Sequence, residues 1–354
     1  MQDKDGLDLS LPYMTETIKG IGGTIRETPI DFQVEEIPLY EPSGNGNHLY
    51  INITKTNKTT REVQLELARL FELKPEAIGK AGLKDKYAVT TQTFSVIFQN
   101  SNPLPSEVVN TIENTLDVKV NWARYHNNKL RAGHLIGNKF IVNITSLEIP
   151  IPEAFNRAVK IAAFIHNSGL PNYYGEQRIG AEGSNVLSGL EILKGKKRVN
   201  DRWLRKCLIS SYQSYLCNKY LSERVNKGLF NRVIKGDIAK KHDTGGIFWV
   251  EDVCLEQPRF EAKEISFTAP IFGYKMASSK DEAAKLEEEI LLESSISIET
   301  FREHGVKGTR RLGRLLPHIE VREISKGIQL VFSLPKGGFA TTLLREFTRD
   351  TDFS

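Results

Sequence analysis

Long apolar runs, paired cysteine motifs and the common cofactor loops are all missing from this 354-residue chain. No run of 18 apolar residues occurs, and the opening "MQDKDGLDLSLPYMTE" lacks a basic segment followed by an apolar one, so membrane spanning and secretion are not expected. Cys207, Cys217 and Cys254 form no CxxC pair and leave one thiol over in any disulfide scheme. Buried thiols in a reducing, cytoplasmic interior are the expectation. There is no GxxxxGKS/T loop, GxGxxG signature, HExxH pair or GxSxG elbow, which removes the motif support for nucleotide, zinc-protease and acyl-transfer chemistry. The seven histidines, at 48, 126, 134, 166, 242, 304 and 318, show neither metal-ligand spacing nor adjacent cysteines, so no metal is expected.

What is present is ordinary globular material: 40% hydrophobic and 26% charged residues, with a formal charge of +4 that is too small to name a partner by itself. The length favours two domains, or one interrupted by another. In "TTREVQLELARLFEL" Thr59 and Glu62 have capping-box spacing and Val63, Leu67, Leu70 and Phe71 recur at helical intervals, predicting a helix over about 60–73. Pro75 opens a short turn, Gly79 and Gly82 break regularity, and Phe94, Val96 and Phe98 alternate as a strand. After the polar "QNSNPLPSE", residues 107–116 read as a helix and "KFIVNIT" as a strand.

"EAFNRAVKIAAFIHNSG" places Phe155, Ala158, Val159, Ala162 and Ile165 on one helical face ending at Gly169. Residues 202–224 form another helix, with Trp203, Cys207, Leu208, Ser211 and Tyr215 on one side, able to build a second core. Short strands, the charged helix "KDEAAKLEEEILLE" and a final strand, glycine turn and helix complete the chain. Helices and strands intersperse without strict βαβ repetition, which favours α+β, and no solenoid repeat is evident.

Two segments are locally basic: "KGKKRVNDRWLRK" carries seven cations against one acid and "REHGVKGTRRLGR" five against one. Either can collect phosphates, or can be a solvated face. Trp203, Tyr173 and Tyr174 offer stacking surfaces for unstacked bases, with core packing as the alternative. Between two lysines in "KAGLKDKYAVTTQTFSVIF" stands a lone acid, Asp85, at the entrance to a strand. Taken alone it fits a turn or cap better than a catalytic group. A nucleophilic role needs a fixed cation, because an opposite charge favours the ionised carboxylate while burial disfavours it. Arg26, Lys84 and Lys86 are the candidates.

Five separated segments, in order, resemble one family, the TruD-type tRNA pseudouridine synthases: "RETPIDFQVEE" (26–36), "AGLKDKYAVTTQ" (81–92), "PNYYGEQRIG" (171–180), "YQSYLCN" (212–218) and "LPKGGFATTLLRE" (334–346). The resemblance implies a pseudouridine synthase fold, α+β, with a mixed, mostly antiparallel catalytic sheet flanked by helices and an inserted family-specific α/β domain. By that analogy 1–194 and 309–354 form the catalytic domain and 195–308 the insertion. The long interval between the second and third segments suggests an archaeal-type or eukaryote-like version.

The activity implied is cofactor-free isomerisation of uridine to pseudouridine, usually at position 13 of tRNA, with other RNAs among the targets of larger relatives. No obligate protein partner and no membrane are implied. Asp85 resembles the catalytic aspartate, and Arg26 stands where the family has a basic active-site residue, expected to pair with it. Phe32 and Phe339 resemble aromatic active-site residues, while Asn172 and Tyr174 match the motif that contacts the target nucleotide. Gly175 and Gly180 are expected to permit a tight backbone, and Lys84, Gln177 and Arg178 to support loop geometry or phosphate contact. The rival expectation is a non-catalytic tRNA-binding or tRNA-folding protein of the same shape.

Overall fold

A computed structural model describes residues 7–98 and 102–349. Residues 1–6 of the opening stretch, 99–101 of the polar connection and 350–354 of the expected C-terminal segment lie outside the described residues. The chain forms two compact units. The first comprises Gly20–Ala162, Pro317–Ala340 and the segment from Phe347; the second comprises Ala163–Leu316, Thr341–Glu346 and the segment ending at Lys19. The expected divisions after 194 and 308 both fall inside the second unit.

In the first unit a nine-stranded sheet runs, from one edge, through Ile319–Ile324, Gly327–Pro335, Leu135–Thr145, Phe32–Pro38, Val89–Ile97, His48–Thr56 and Lys119–His126, with Thr24–Ile25 and Gly79–Lys80 added at its side. Phe32–Pro38 pairs parallel with Val89–Ile97, and the other pairings are antiparallel. A parallel pair needs a crossover rather than a hairpin, and the segment between these strands holds the helix Thr60–Leu70. That helix starts with the capping box read from Thr59 and Glu62 and stops early, because Glu72 takes a left-handed backbone at φ 52°. With the helix Pro105–Thr115 it covers one sheet face, Val63, Leu67, Val108 and Ile112 packing on Leu49, Ile51, Ile53, Phe94 and Val96.

In the second unit the strands Ile247–Trp249, Ile238–Lys241, Ile265–Ile271 and Thr309–Leu312 make an antiparallel sheet, and the helix Arg202–Asn226 packs on it. Its core gathers Tyr212, Leu216, Cys217 and Tyr220 with Phe260 and Phe267. Two helical faces differ from the periodicity. On Ile151–Ser168 the buried residues are Ala154, Ala158, Ile161, Ala162 and Ile165, and Val159 is exposed. Trp203 stands 73% exposed, since the helix Arg202–Asn226 enters the core only at Leu208. The thiols also differ from expectation: Cys217 is buried, and burial pushes it up to about 12, whereas Cys207 is half-buried and Cys254 exposed.

Arg224 and Asp237 form an ion pair with both side chains fully buried. The guanidinium donates to Asp237 through Nη1 at 2.7 Å and Nη2 at 3.1 Å, and also to the carbonyls of Leu229 and Arg232. Its carbon lies 3.8 Å from the Phe267 ring centroid. Removing one partner strands a buried charge, so Arg224→Met is expected to cost about 3–5 kcal/mol in denaturant unfolding. The double variant Arg224→Met with Asp237→Leu should recover most of that loss.

Candidate active site

Asp85 lies in the loop between Gly79–Lys80 and Val89–Ile97, and that loop is fastened through its backbone. Lys84 N donates to Thr60 Oγ1 at 2.8 Å, and the same hydroxyl donates to Gln92 Oε1 at 2.7 Å. Gln92 Nε2 returns to the carbonyl of Gly82 at 3.3 Å, and Lys55 Nζ reaches the carbonyl of Asp85 at 3.4 Å. The Lys84 side chain turns inward to Glu36 Oε2 at 3.0 Å, in a pair whose side chains are 3% and 2% exposed. Glu36 Oε1 also accepts from Thr93 N at 3.3 Å. Lys84 is therefore a buried tie between the loop and the strand Phe32–Pro38.

Arg26 Nη2 donates to Asp85 Oδ2 at 2.8 Å, with Asp85 the more exposed of the two side chains. The Arg26 guanidinium lies over Phe32 with its carbon 3.8 Å from the ring centroid, a cation–π contact that also limits where the cation can move. Phe32 is buried and meets Phe140 edge-on. Arg26 has a left-handed backbone at φ 64°, unusual for a residue with a Cβ, and its Nε is buried without a hydrogen-bond partner among the described residues. The turn that follows is set by Asp31, whose carboxylate accepts from Thr28 N, Thr28 Oγ1 and Asn143 Nδ2. Burial alone would raise the Asp31 carboxyl; these hydrogen bonds outweigh it and hold the group below the usual carboxylate range. Phe339 is half-buried in the turn between the strand Gly327–Pro335 and the helix Ala340–Thr348.

Asn172 and Tyr174 belong to the second unit. Asn172 is buried and engaged through both its side chain and its backbone: Nδ2 donates to the Leu312 carbonyl at 2.8 Å, N donates to the Gly313 carbonyl at 3.0 Å, and Arg311 donates to both its Oδ1 and its carbonyl. Tyr174 is clamped by Asn218, which accepts from its N–H at 2.8 Å and donates to its carbonyl at 3.0 Å. Arg311 covers the Tyr174 ring at 3.9 Å. Burial raises the Tyr174 phenol above its usual range, with Arg311 acting in the opposite sense. Arg178 donates to Ser210 and Ser214 on the long helix. Gly180 has φ 87°, and a Cβ there would come within 2.8 Å of Asn185, but Gly175 has an ordinary φ of −78° and needs no glycine for that reason.

The basic segment 302–314 is mostly not a phosphate-collecting face. Arg310 is buried against Glu287 at 2.8 Å, and Arg311 is spent on Asn172 and Tyr174. Arg314, 2% exposed, donates to the carbonyls of Phe260 and Ile265, and burial pulls it down to about 10.

The family model described as tRNA pseudouridine synthase D (TruD) matches residues 8–200 and 197–347. The chain belongs to this family. A curated tRNA pseudouridine synthase D of Thermus thermophilus is 42% identical over 95% of this chain and 91% of its own length. One from Anaeromyxobacter dehalogenans is 37% identical over 96% of both chains. A crystal structure from Methanosarcina mazei described under the same family name superimposes with a TM-score of 0.78 at 25% identity, covering 98% of this chain and 97% of that one. Bacterial and archaeal chains thus both align with this one over nearly the whole of its length.

Lys55 is the neighbour of Asp85 that sequence reasoning missed. It is 1% exposed on the strand His48–Thr56, and its ammonium donates to the Lys58 carbonyl as well as to Asp85. Burial and the nearby Lys84 pull it down to about 8, against the opposing pull of Asp85 and Glu62. An unfolded lysine keeps its proton to a pH of about 10.4. Between about 8 and that value the unfolded chain binds a proton that the folded chain has released, so stability rises with pH across this window and the folded state carries the cost of charging Lys55 below it. The difference in unfolding free energy between the unaltered protein and Lys55→Met should therefore shift in favour of the unaltered protein from a pH of about 7.5 to about 10. Paired urea titrations check this, and a flat difference would count against it.

Proposed function

We propose that this TruD protein isomerises uridine 13 of tRNA with Asp85 as its nucleophile and Arg26 as the cation that holds it. As a member of the family the protein is a pseudouridine synthase, an isomerase that converts uridine to pseudouridine in tRNA. The reaction breaks the bond between N1 of the base and the ribose carbon, and joins C5 to that carbon after the base has turned. It needs a nucleophile, a means of holding the detached base, and a site that limits access of water.

The observation that carries the assignment is the Arg26–Asp85 pair lying on Phe32. One carboxylate oxygen, Oδ2, is committed to the guanidinium, while Oδ1 accepts no hydrogen bond among the described residues and is the oxygen assigned to attack. Phe32 lies under the cation and limits where it can move, and Phe339 is assigned as an apolar wall for the base. Tyr174 is assigned to the target nucleotide; Asn172, whose side chain is already engaged, holds the segment that presents it. A base taken out of a folded tRNA loses stacking, which aromatic side chains replace in part. The unit that carries Asp85 is accordingly assigned as catalytic, and 195–308 in the other unit as the family's insertion. The unpaired thiols fit work in the cytoplasm, and no obligate protein partner is invoked.

The test uses tRNA tritiated at uracil C5, incubated without added cofactor. The unaltered protein should release tritium, and Asp85→Asn should lower the rate by about a thousandfold or more. Arg26→Met should lower it by about a hundredfold through misplacement of the carboxylate. Equal release by the unaltered protein and Asp85→Asn would remove Asp85 from the mechanism. Binding of tRNA without release by either would favour a binding protein, and mapping of the product checks position 13.

A further inference from the structure

Of the two basic segments, 194–206 keeps its charge at the surface. Lys194, Lys196, Lys197, Arg198, Arg202 and Lys206 are all exposed. Only Lys197 among them has an ion-pair partner among the described residues, Glu191 at 3.8 Å. The lone acid, Asp201, is occupied as a helix cap, accepting from Leu204 N at 2.9 Å. Arg205 turns away to His304. Beside these cations Trp203 is 73% exposed and Leu204 42%, an apolar surface that the second unit's core does not use. By contrast Trp249, the other strongly exposed tryptophan, is bonded through Nε1 to the Ser278 carbonyl and has Lys280 over its ring.

Exposed cations neighbouring an exposed indole along the chain suit one chemistry better than others. A single-stranded RNA segment offers phosphates spaced along a backbone and bases whose faces can stack on an aromatic ring. An acidic protein surface would satisfy the cations but gives the indole no specific partner.

We propose that residues 194–206 form a second RNA contact of this enzyme, in which Trp203 stacks on an unpaired base of the substrate tRNA while Lys196, Arg198 and Arg202 hold the adjoining phosphates. The inference rests on tRNA being the substrate, and extends the footprint to residues outside the set around Asp85.

The experiment uses the full chain and an unmodified tRNA transcript. With Trp122→Phe and Trp249→Phe leaving Trp203 as the sole tryptophan, saturating tRNA should quench its fluorescence. Trp203→Ala should weaken binding about tenfold, while Trp203→Phe keeps most of the affinity because a ring remains. The triple variant Lys196→Ala, Arg198→Ala, Arg202→Ala should flatten the slope of log affinity against log salt by about two, near the value expected for three lost phosphate contacts. Unchanged fluorescence, or unchanged affinity and salt slope in these variants, would overturn the proposal. So would their loss of binding to polyglutamate with tRNA binding intact. Tritium release by the unaltered protein is measured alongside, so that a failure of the Asp85 assignment is seen separately.

Discussion

The buried ion pair between Lys84 and Glu36 is the constraint around which the Asp85 loop is organised. A charge pair with both partners nearly inaccessible is costly to desolvate, and it persists only where further hydrogen bonds complete it. Glu36 takes one from Thr93 N, and Lys84 donates its own N–H to Thr60. The consequence lies one residue along. With Lys84 drawn inward and the Gly82 and Asp85 carbonyls engaged by Gln92 and Lys55, the Asp85 side chain is presented on a segment whose backbone has little freedom. Rigid support from strands and a helix start is what a nucleophile on a loop requires, since attack depends on placement to within fractions of an ångström.

The same strand also seats the counter-charge, through the Phe32 ring beneath Arg26. Phe32 begins the strand that Glu36 belongs to, so the ring under Arg26 and the carboxylate that anchors Lys84 are fixed by one element. Arg26 reaches Asp85 from a strained left-handed backbone, and the Asp31 turn that follows is closed by three hydrogen bonds. Local strain of this kind persists where neighbouring structure over-determines the chain. The parallel pairing of Phe32–Pro38 with Val89–Ile97 then brings the two motifs, far apart in sequence, onto adjacent strands.

Much of this was legible beforehand because the motifs carry their geometry locally. The Thr59–Glu62 cap, the alternation after Asp85 and the stop at Gly169 all follow from neighbours within a few residues. Lys55 was not legible, because in "HLYINITKT" a lysine next to the end of a strand reads as a solvated edge, and the Asp85 carbonyl that ties it to the loop lies 30 residues on. Val159 and Ile161 show the limit of helical periodicity: positions two apart lie far round the helix, yet in a segment rich in alanine and isoleucine either can close the stripe.

Charge is where sequence is least informative, and the two basic segments show why. Both are dense in arginine and lysine, yet one is folded inward and the other is not. Arg310, Arg311 and Arg314 sit on or beside a strand whose neighbours present Glu287, Asn172 and main-chain carbonyls, so each guanidinium finds its hydrogen bonds inside the unit. Residues 194–206 link the end of one helix to the first turn of the next, with its acid used as the cap and the core starting only at Leu208. Apart from Arg205, which meets His304, and Lys197, which meets Glu191, the cations there have no ion-pair or hydrogen-bond partner among the described residues. Which arginines remain for a polyanion is therefore decided by whether the local element points them at carbonyls and carboxylates, a property of the tertiary structure that a count of charges cannot supply.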